Sequence, residues 1–556
     1  MDIRHLASGL SVSPQLLAAD LDTLKQAGYR AIICNRPEGE AADQTAFAAI
    51  QRRAQDLGME AHYLPAESGK VTNAQGVAFG ELFDRLPKPV LAYCRTGMRS
   101  TTMWALSQAT RQSLPHILDA ANKAGFDLKG VVRRIVNHGR TPVEVAEAEH
   151  TVVIIGGGAA GIATASSLLA RWPGLDIAII DPADVHYYQP GWTLVGCGVF
   201  DAADTAHTMA STIPRGVHWI KSAVAAFEPE RNAVILDGCR VVKYQQLVVC
   251  PGLKLNWEGI EGLSETLGCN GVTSNYQYQL APYTWKLVQQ LRGGRAIFTQ
   301  PPMPIKCAGA PQKAMYLSAD HWKREGVLNQ IQIEFCNAGA VLFGVADYVP
   351  ALMEYIRAYN IDLHFGNTLT AVDGAHKSAT FSRTLADGSK DSVTREFDLL
   401  HVAPPQIAPD FIRVSPLADA AGWIDIDPAT LRHKIYANIH ALGDAGNSGN
   451  AKTAAAARKQ APVVAHNVLA ALGKIKGSAH YDGYGSCPLT VERGKIVLAE
   501  FTYGGKVAPS FPRWLIDGTR PSRLAWLLKE RILPPLYWQG MLKGREWMAK
   551  PELADL

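Results

Sequence analysis

The chain has 556 residues, 47% hydrophobic and 19% charged, with a formal net charge of +4. That length exceeds what one hydrophobic core serves, so several domains are expected; the composition excludes a disordered chain, and so small a charge excess argues for no nucleic-acid partner. Nine cysteines without CxxC spacing exclude a zinc ribbon or a secreted disulfide scaffold, and no metal is expected.

The opening MDIRHLASGLSVSPQLL has neither an apolar core nor an Arg-rich amphipathic run, so neither a signal peptide nor a transit peptide is predicted. No stretch reaches the ~18 uninterrupted apolar residues of a spanning helix. Within 1–137, AIIC (31–34) and PVLAYC (89–94) read as buried parallel strands, and TAFAAIQRRAQDLG between them as a helix with a Gly stop. The pattern is an α/β layer. The second strand runs into Cys94-Arg95-Thr96-Gly97-Met98-Arg99-Ser100. A strand–loop–helix of this kind aims backbone N–H groups and a helix N-terminus at one spot, where a cysteine is stabilised as thiolate. Cys94 is therefore a candidate nucleophile and Arg99 a candidate anion clamp; the plain alternative is a buried strand-end cysteine with a surface arginine.

NRPEGE and LAYCRTGMRS resemble the tyrosine-phosphatase-like domain of the beta-lactamase-hydrolase-like family over roughly the first 110 residues, and the loop also resembles a rhodanese loop. The resemblance implies a phosphatase-like α/β fold. Four residues separate Cys94 from Arg99, where tyrosine phosphatases place five, and no general-acid Asp stands out. The tighter loop favours sulfur transfer over phosphatase activity. Residues 113–137 read as helical, and 138–150, HGRTPVEVAEAEH, as a linker.

TVVIIGGGAAGIATASSLLA is a strand, a glycine turn and a helix, with Gly156, Gly158 and Gly161 in G-x-G-x-x-G spacing. Such glycines allow a tight turn and close approach of a pyrophosphate to the helix N-terminus. DIAIID then supplies Asp181, an acid placed for a ribose 2′-OH. Far along the chain, IHALGDAGN ends an apolar strand in Gly443-Asp444. This long-range pair resembles the disulfide-reductase-like flavoprotein superfamily over roughly 150–470 and implies FAD. RAIFTQPPMPIKCAGAPQK, where such reductases carry a second glycine fingerprint, has prolines and a cysteine instead, so NAD(P)H is not the expected electron donor.

Cys34, Cys239, Cys250, Cys269 and Cys336 suggest only small buried residues; Cys197, in WTLVGCGVF, is kept as an additional redox candidate. Cys307 in PIKCAGAPQK and Cys487 in YDGYGSCPL sit in Gly/Pro-marked turns, and only the fold could pair them. YQPGWTLVG, KCAGAPQKAMYLS, PLADAAGWIDID, KTAAAA and YDGYGSCPL, in that order, resemble the sulfide:quinone oxidoreductase family of the mitochondrial-like type, from about 151 to the C-terminus. The resemblance implies that Cys307 and Cys487 form the redox pair, with a persulfide left on Cys487 and the Cys307 thiolate facing the flavin. It extends the FAD site to Ala159, Ala160, Asp181, Gln189, Val224, Asp444 and Lys452, and it puts Ala445 where the family more often has cysteine. Lys306 and Lys313 flank Cys307 and suit its thiolate.

The tail, FPRWLIDGTRPSRLAWLLKERILPPLYWQGMLKGREWMAK, places Leu524, Leu527, Leu528 and Ile532 on one helical face. Leu536, Trp538, Met541 and Leu542 make a second, with Arg520, Arg523, Lys529, Arg531, Lys543 and Arg545 interspersed. Such helices lie in a bilayer interface or dock on a core; the family resemblance implies a monotopic anchor opening onto a quinone site.

The expected architecture is therefore α/β throughout. A phosphatase-like sulfurtransferase domain (1–137) and a linker (138–150) precede a FAD-binding Rossmann domain in two parts (151–270 and 391–470). The latter encloses a second Rossmann-like domain with Cys307 (271–390), and a C-terminal region with Cys487 and membrane helices follows (471–556). The expected partners are hydrogen sulfide, a quinone, a sulfur acceptor such as glutathione, sulfite or cyanide, the surface of a bacterial cytoplasmic membrane, and a second copy of the chain. The alternative is a soluble persulfide or coenzyme A disulfide reductase with a phosphatase or inactive docking domain.

Overall fold

The computed structural model describes residues 2–42, 44–68, 71–109, 111–112, 114–128, 131, 135, 148–237, 240–385, 387–449 and 451–553. The chain forms two compact units: Met1–Glu149 with Ser222–Lys243 and Asp410–Ala418, and His150–Lys221 with Tyr244–Pro409 and Asp419–Leu556.

The first unit is built on a five-stranded sheet of β1 (Arg4–Ala7), β2 (Leu10–Ser13), β3 (Ala31–Cys34), β4 (Glu60–Tyr63) and β5 (Val90–Tyr93), in the order β1-β2-β5-β3-β4. All neighbours run parallel except β1 and β2. Both predicted strands are present, and every residue of β3 and β5 is buried, as expected of parallel strands covered on both faces. The helices are α1 (Asp20–Gln26), α2 (Phe47–Asp56), α3 (Asn73–Arg85), α4 (Met98–Gln108) and α5 (Leu114–Lys123). A Thr72–Gln75 capping box starts α3, a signal the sequence reading passed over. The core of this unit joins Val12, Phe79, Val90, Met103 and Trp104 to Ala225, Ala226 and Ile235 of the hairpin Val224–Glu228/Ala233–Leu236. The unit is thus not the continuous 1–137 segment expected, because a distant hairpin supplies part of its apolar core. Of the expected linker, residues 138–147 lie outside the described residues, and Ala148–His150 already belong to strand β6 (Ala148–Ile155).

In the second unit, β6 leads through the glycine turn into α6 (Ala159–Arg171) and β7 (Ile177–Ile180), with β8 (Val217–Ile220) parallel at the edge. The chain continues through β9 (Val241–Val249) into a second parallel sheet of β10 (Gly294–Gln300), β11 (Ile331–Asn337), β12 (Ile361–Phe365) and β13 (Leu399–His401), with α7 (Ala310–Arg324) after β10. It then returns by β14 (Ile439–Ala441), which pairs parallel with β9 and leads to α8 (Ala454–Ala471). This is the architecture of two dinucleotide-binding-like domains, the first completed by a late strand. A hairpin, β15 (Gly485–Glu492) and β16 (Lys495–Phe501), carries Cys487 into a core with Phe298, Trp322 and Phe335.

The tail forms α9 (Arg523–Leu527) and then π-helical turns over Leu528–Ile532 and Leu536–Gly540. Of the expected first face, Leu524, Leu527 and Ile532 are about half exposed, whereas Leu528 packs inward. The expected second face is corrected, because Met541 and Leu542 are buried and the Leu542 carbonyl accepts from Ser166 Oγ of α6 at 2.8 Å. No helix of the described residues is long and apolar enough to cross a membrane.

Candidate active site: a cysteine pair against a dinucleotide cradle

The glycine turn after β6 has the shape a dinucleotide requires. Gly156 has φ 105°, and a Cβ there would lie 2.5 Å from the Cys250 carbonyl oxygen; at Gly161 it would lie 1.9 Å from that of Gly156. At Gly158 it would meet nothing within 4 Å, so the space against the helix start is open. α6 begins at Ala159, with Ala160 and Gly161 in its first turn, and has no side-chain cap; its first N–H groups remain to be met by an anion. Asp181 Oδ2 accepts from Gly157 N at 2.6 Å, and Oδ1 from Ala183 N at 2.7 Å, which fixes the carboxylate at the end of β7, beside the glycine turn. Gly443, with φ 68°, brings the Gly-Asp segment close enough for an added Cβ to stand 3.2 Å from Ala160 Cβ. Burial pushes the Asp444 carboxyl above its ordinary value, against the pull of Lys452 and Lys306. Lys452 Nζ donates to the carbonyls of Asp444 (2.7 Å) and Gly446 (2.8 Å) and lies 3.9 Å over the Trp423 ring; burial lowers its value to about 8. Open room, uncapped donors and an ordered acid fit FAD. Val224 stands on the hairpin of the first unit.

The cysteine site is hydrogen-bonded to this cradle. Cys307 N donates to the Lys452 carbonyl at 2.8 Å, and Lys306 Nζ donates to Gln189 Oε1. Cys307 itself is left-handed, with φ 49°, a conformation that costs a non-glycine residue of order 1–3 kcal/mol and clusters at functional sites. Its sulfur lies 3.4 Å from Cys487 Sγ and 3.0 Å from Lys313 Nζ on α7. The fold therefore unites the two cysteines that spacing alone could not pair. The sulfurs are unequal. The hydrogen bond from Cys487, then Lys313, holds the Cys307 thiol well below its ordinary value; the same bond and burial push Cys487 well above. With Lys313 Nζ against its sulfur, Cys307 is favoured over Cys487 as the site of the thiolate.

One residue here was misplaced by sequence reasoning. Lys529, read as one of the cations on the interfacial tail, is 4% exposed and feels Lys313, Cys307, Cys487 and Cys197; burial lowers its value to about 7. The tail also reaches the cradle, since Tyr537 OH lies 2.6 Å from His186 Nε2 while His186 Nδ1 faces the Gly157 carbonyl at 3.0 Å. The HxYQPGW stretch held that histidine, but nothing in it announced the partner. Cys197 is buried, with its thiol pushed up to about 12 by burial, so it is no ready nucleophile.

In the first unit, β5 delivers Cys94 to the loop as predicted. Gly97, with φ 92°, donates its N–H to Cys94 Sγ at 3.1 Å. Arg99, the candidate anion clamp, has its guanidinium engaged: it donates to both Glu40 oxygens (2.6 and 2.8 Å) and to the Ala66 carbonyl (2.8 Å).

Comparison with known proteins follows the same division. Residues 2–111 match the phosphatase-like domain of beta-lactamase hydrolase-like proteins, and 150–288 the pyridine nucleotide-disulphide oxidoreductases. The mitochondrial sulfide:quinone oxidoreductase of Dictyostelium discoideum is 40% identical over 405 residues, 72% of this chain and 88% of the relative. The chain belongs to the sulfide:quinone oxidoreductase family. The family's fold is seen again in the Aquifex aeolicus sulfide:quinone oxidoreductase structure, at TM-score 0.60 and 20% identity, over 73% of this chain and 97% of that one. Outside the family's span, a beta-lactamase hydrolase-like protein of Agrobacterium fabrum is 30% identical over 126 residues, 22% of this chain and 29% of the relative. The family relative from Dictyostelium is named as mitochondrial, and nothing in these likenesses supports the bacterial cytoplasmic membrane expected from the sequence.

Proposed function

We propose that the protein oxidises hydrogen sulfide to sulfane sulfur and delivers the two electrons to a quinone through bound FAD. The observation that carries this is the Cys307–Cys487 contact at 3.4 Å, hydrogen-bonded through Cys307 to Lys452 of the dinucleotide cradle. In the oxidised pair, hydrosulfide attacks Cys487 Sγ. A new S–S bond forms there, the bridge breaks, and Cys307 leaves as thiolate. The direction follows from the asymmetry, because the thiol of lower pKa is the better leaving group, and Lys313 stabilises the departing charge. A thiol then takes the outer sulfur from Cys487, and the two cysteines close their bridge again as two electrons leave. Bound FAD would supply the two-electron sink, with a quinone as the final acceptor. Gly158, Ala159, Ala160, Asp181, Gln189, Asp444 and Lys452 would hold the cofactor.

Quinones reside in bilayers, so the protein must meet one. Trp514 is 84% exposed, and Leu515, Leu524, Leu527 and Ile532 add apolar surface; Arg513, Arg520 and Arg531, in the same stretch of chain, are exposed as well. This is the composition of an interfacial, monotopic surface. The persulfide sulfur then passes by way of a small thiol to Cys94, whose thiolate attacks the outer sulfur of the carrier and releases the carrier thiolate. Anaerobic addition of sulfide should bleach the flavin absorbance, and a soluble quinone should restore it; bleaching by NADH but not by sulfide would overturn the reading.

A further inference from the structure

Two guanidiniums in the first unit converge on one carboxylate, that of Glu40. Arg99 grips Glu40 with both Nη atoms, and Arg36 Nε donates to Glu40 Oε2 at 2.9 Å. The two guanidinium side chains are 7% and 6% exposed. Both are anchored from behind, Arg99 by the Ala66 carbonyl at 2.8 Å and Arg36 by Gln15 Oε1 at 3.0 Å. Paired buried forks of this kind are how proteins hold planar or tetrahedral oxyanions. Here a side chain of the protein already occupies them. Glu40 is not a loose arm: its N–H donates to Gln44 Oε1 at 3.1 Å, Gln44 Nε2 donates to the Pro37 carbonyl at 2.8 Å, and Glu38 N donates to Tyr63 OH at 3.0 Å. The hydrogen bonds from Arg99 and Arg36 keep it ionised. Arg99 also feels Cys94 electrostatically, so the carboxylate and the nucleophile share the field of one guanidinium. Ser100, fully buried one residue on, has a hydroxyl without a partner among the described residues.

We propose that Glu40 sets the donor specificity of the Cys94 site: its carboxylate stands where an oxyanion would bind, so Cys94 is loaded by alkyl persulfides and not by thiosulfate or phosphate monoesters. The inference rests on the reading of Cys94 as a sulfur acceptor. An alkyl persulfide brings at most one diffuse charge to the reacting end; Cys94 forms a bond to its outer sulfur, the S–S bond breaks, and the alkyl thiolate leaves. Thiosulfate would have to seat a sulfonate, released as sulfite, beside Glu40 or displace it, and like charges at such range are strongly disfavoured.

The full-length protein, with Cys307 and Cys487 both changed to serine so that neither carries sulfur, is incubated with cysteamine persulfide or with thiosulfate. The added sulfur on the Cys94 peptide is followed by mass spectrometry. The persulfide should load Cys94 about a hundredfold faster than thiosulfate, and Glu40→Gln, which keeps an acceptor for Arg99 but removes the charge, should raise thiosulfate loading about tenfold or more. Glu40→Asp should still reject thiosulfate. Equal loading by the two donors in the protein with Glu40 intact, or no gain in E40Q, overturns the assignment. The donor comparison needs no Glu40 variant, so a failure of E40Q to fold leaves the proposal open to refutation. If neither donor loads Cys94, the sulfur-acceptor reading fails. Glu40 is then judged by sulfate alone, which should raise the melting temperature of E40Q and not that of the protein with Glu40; equal shifts overturn it.

Discussion

A Cβ on Gly309 would lie 2.6 Å from Cys487 Sγ and 2.3 Å from Leu489 Cδ2. The absence of a side chain at that one position lets hairpin β15–β16 bring Cys487 to within 3.4 Å of Cys307. Gly309→Ala should therefore force the hairpin outward. Overpacking of this kind costs about 1–3 kcal/mol, and the melting temperature should fall accordingly. Reduction of the flavin by sulfide should slow more than stability alone explains; an unchanged rate would separate the cysteine spacing from the chemistry.

Cys307→Ser and Cys487→Ser should each abolish bleaching of the flavin by sulfide while leaving FAD bound, since neither residue belongs to the glycine turn. NADH should bleach none of the three proteins, because the loop after β10 offers prolines and a cysteine in place of glycines. Bleaching of either variant by sulfide at the unmodified rate would remove the pair from the mechanism.

The unequal sulfurs predict a pH signature. In the reduced enzyme, iodoacetamide should alkylate Cys307 well below the ordinary thiol value of 9.0, because its thiolate survives until pH falls through the lowered value. Cys487 should stay unreactive across the same range, its value being raised. The stabilisation from the Cys307 thiolate is present above the ordinary thiol value and is lost as pH falls through the folded one. Lys313→Met should move the Cys307 alkylation profile upward and slow reduction by sulfide about tenfold. A Cys307 profile unmoved by the loss of Lys313 would assign the shift to Cys487 alone.

How much of this was legible depends on whether the signal was local. β3, β5 and the glycine turn were readable because each is a continuous apolar run or a fixed glycine spacing, whose geometry follows from backbone rules. Cys94 in its loop was readable for the same reason. Glu40 was not: its role arises from a contact across 59 positions in the chain, and an acid in a polar loop gives no sign of what it meets. Lys529 misled for a related cause. A lysine among leucines and arginines matches an interfacial helix, yet its buried setting beside the cysteines depends on how the tail folds back. The register of Met541 and Leu542 likewise came out inward, because their turn packs on α6, where Ser166 Oγ donates to the Leu542 carbonyl.

Changing Trp514, Leu524, Leu527 and Ile532 together to serine should release the protein from anionic liposomes and sharply reduce turnover with a long-chain quinone. These side chains are exposed, so folding and single-turnover reduction by sulfide should persist. If flotation with liposomes were unaffected, the membrane surface would lie elsewhere.

The route of the chain through the first unit has a consequence for how such a fusion can be taken apart. Ala225, Ala226 and Ile235 complete a core otherwise built from the first 135 residues, and Asp410–Ala418 joins the same unit. A cut in the stretch between Lys123 and His150 would strip that core of three buried apolar residues and leave the hairpin without its partners. The N-terminal part is therefore not a detachable cassette: recombination that moved it onto another oxidoreductase would have to carry two short, remote pieces of the host chain along with it.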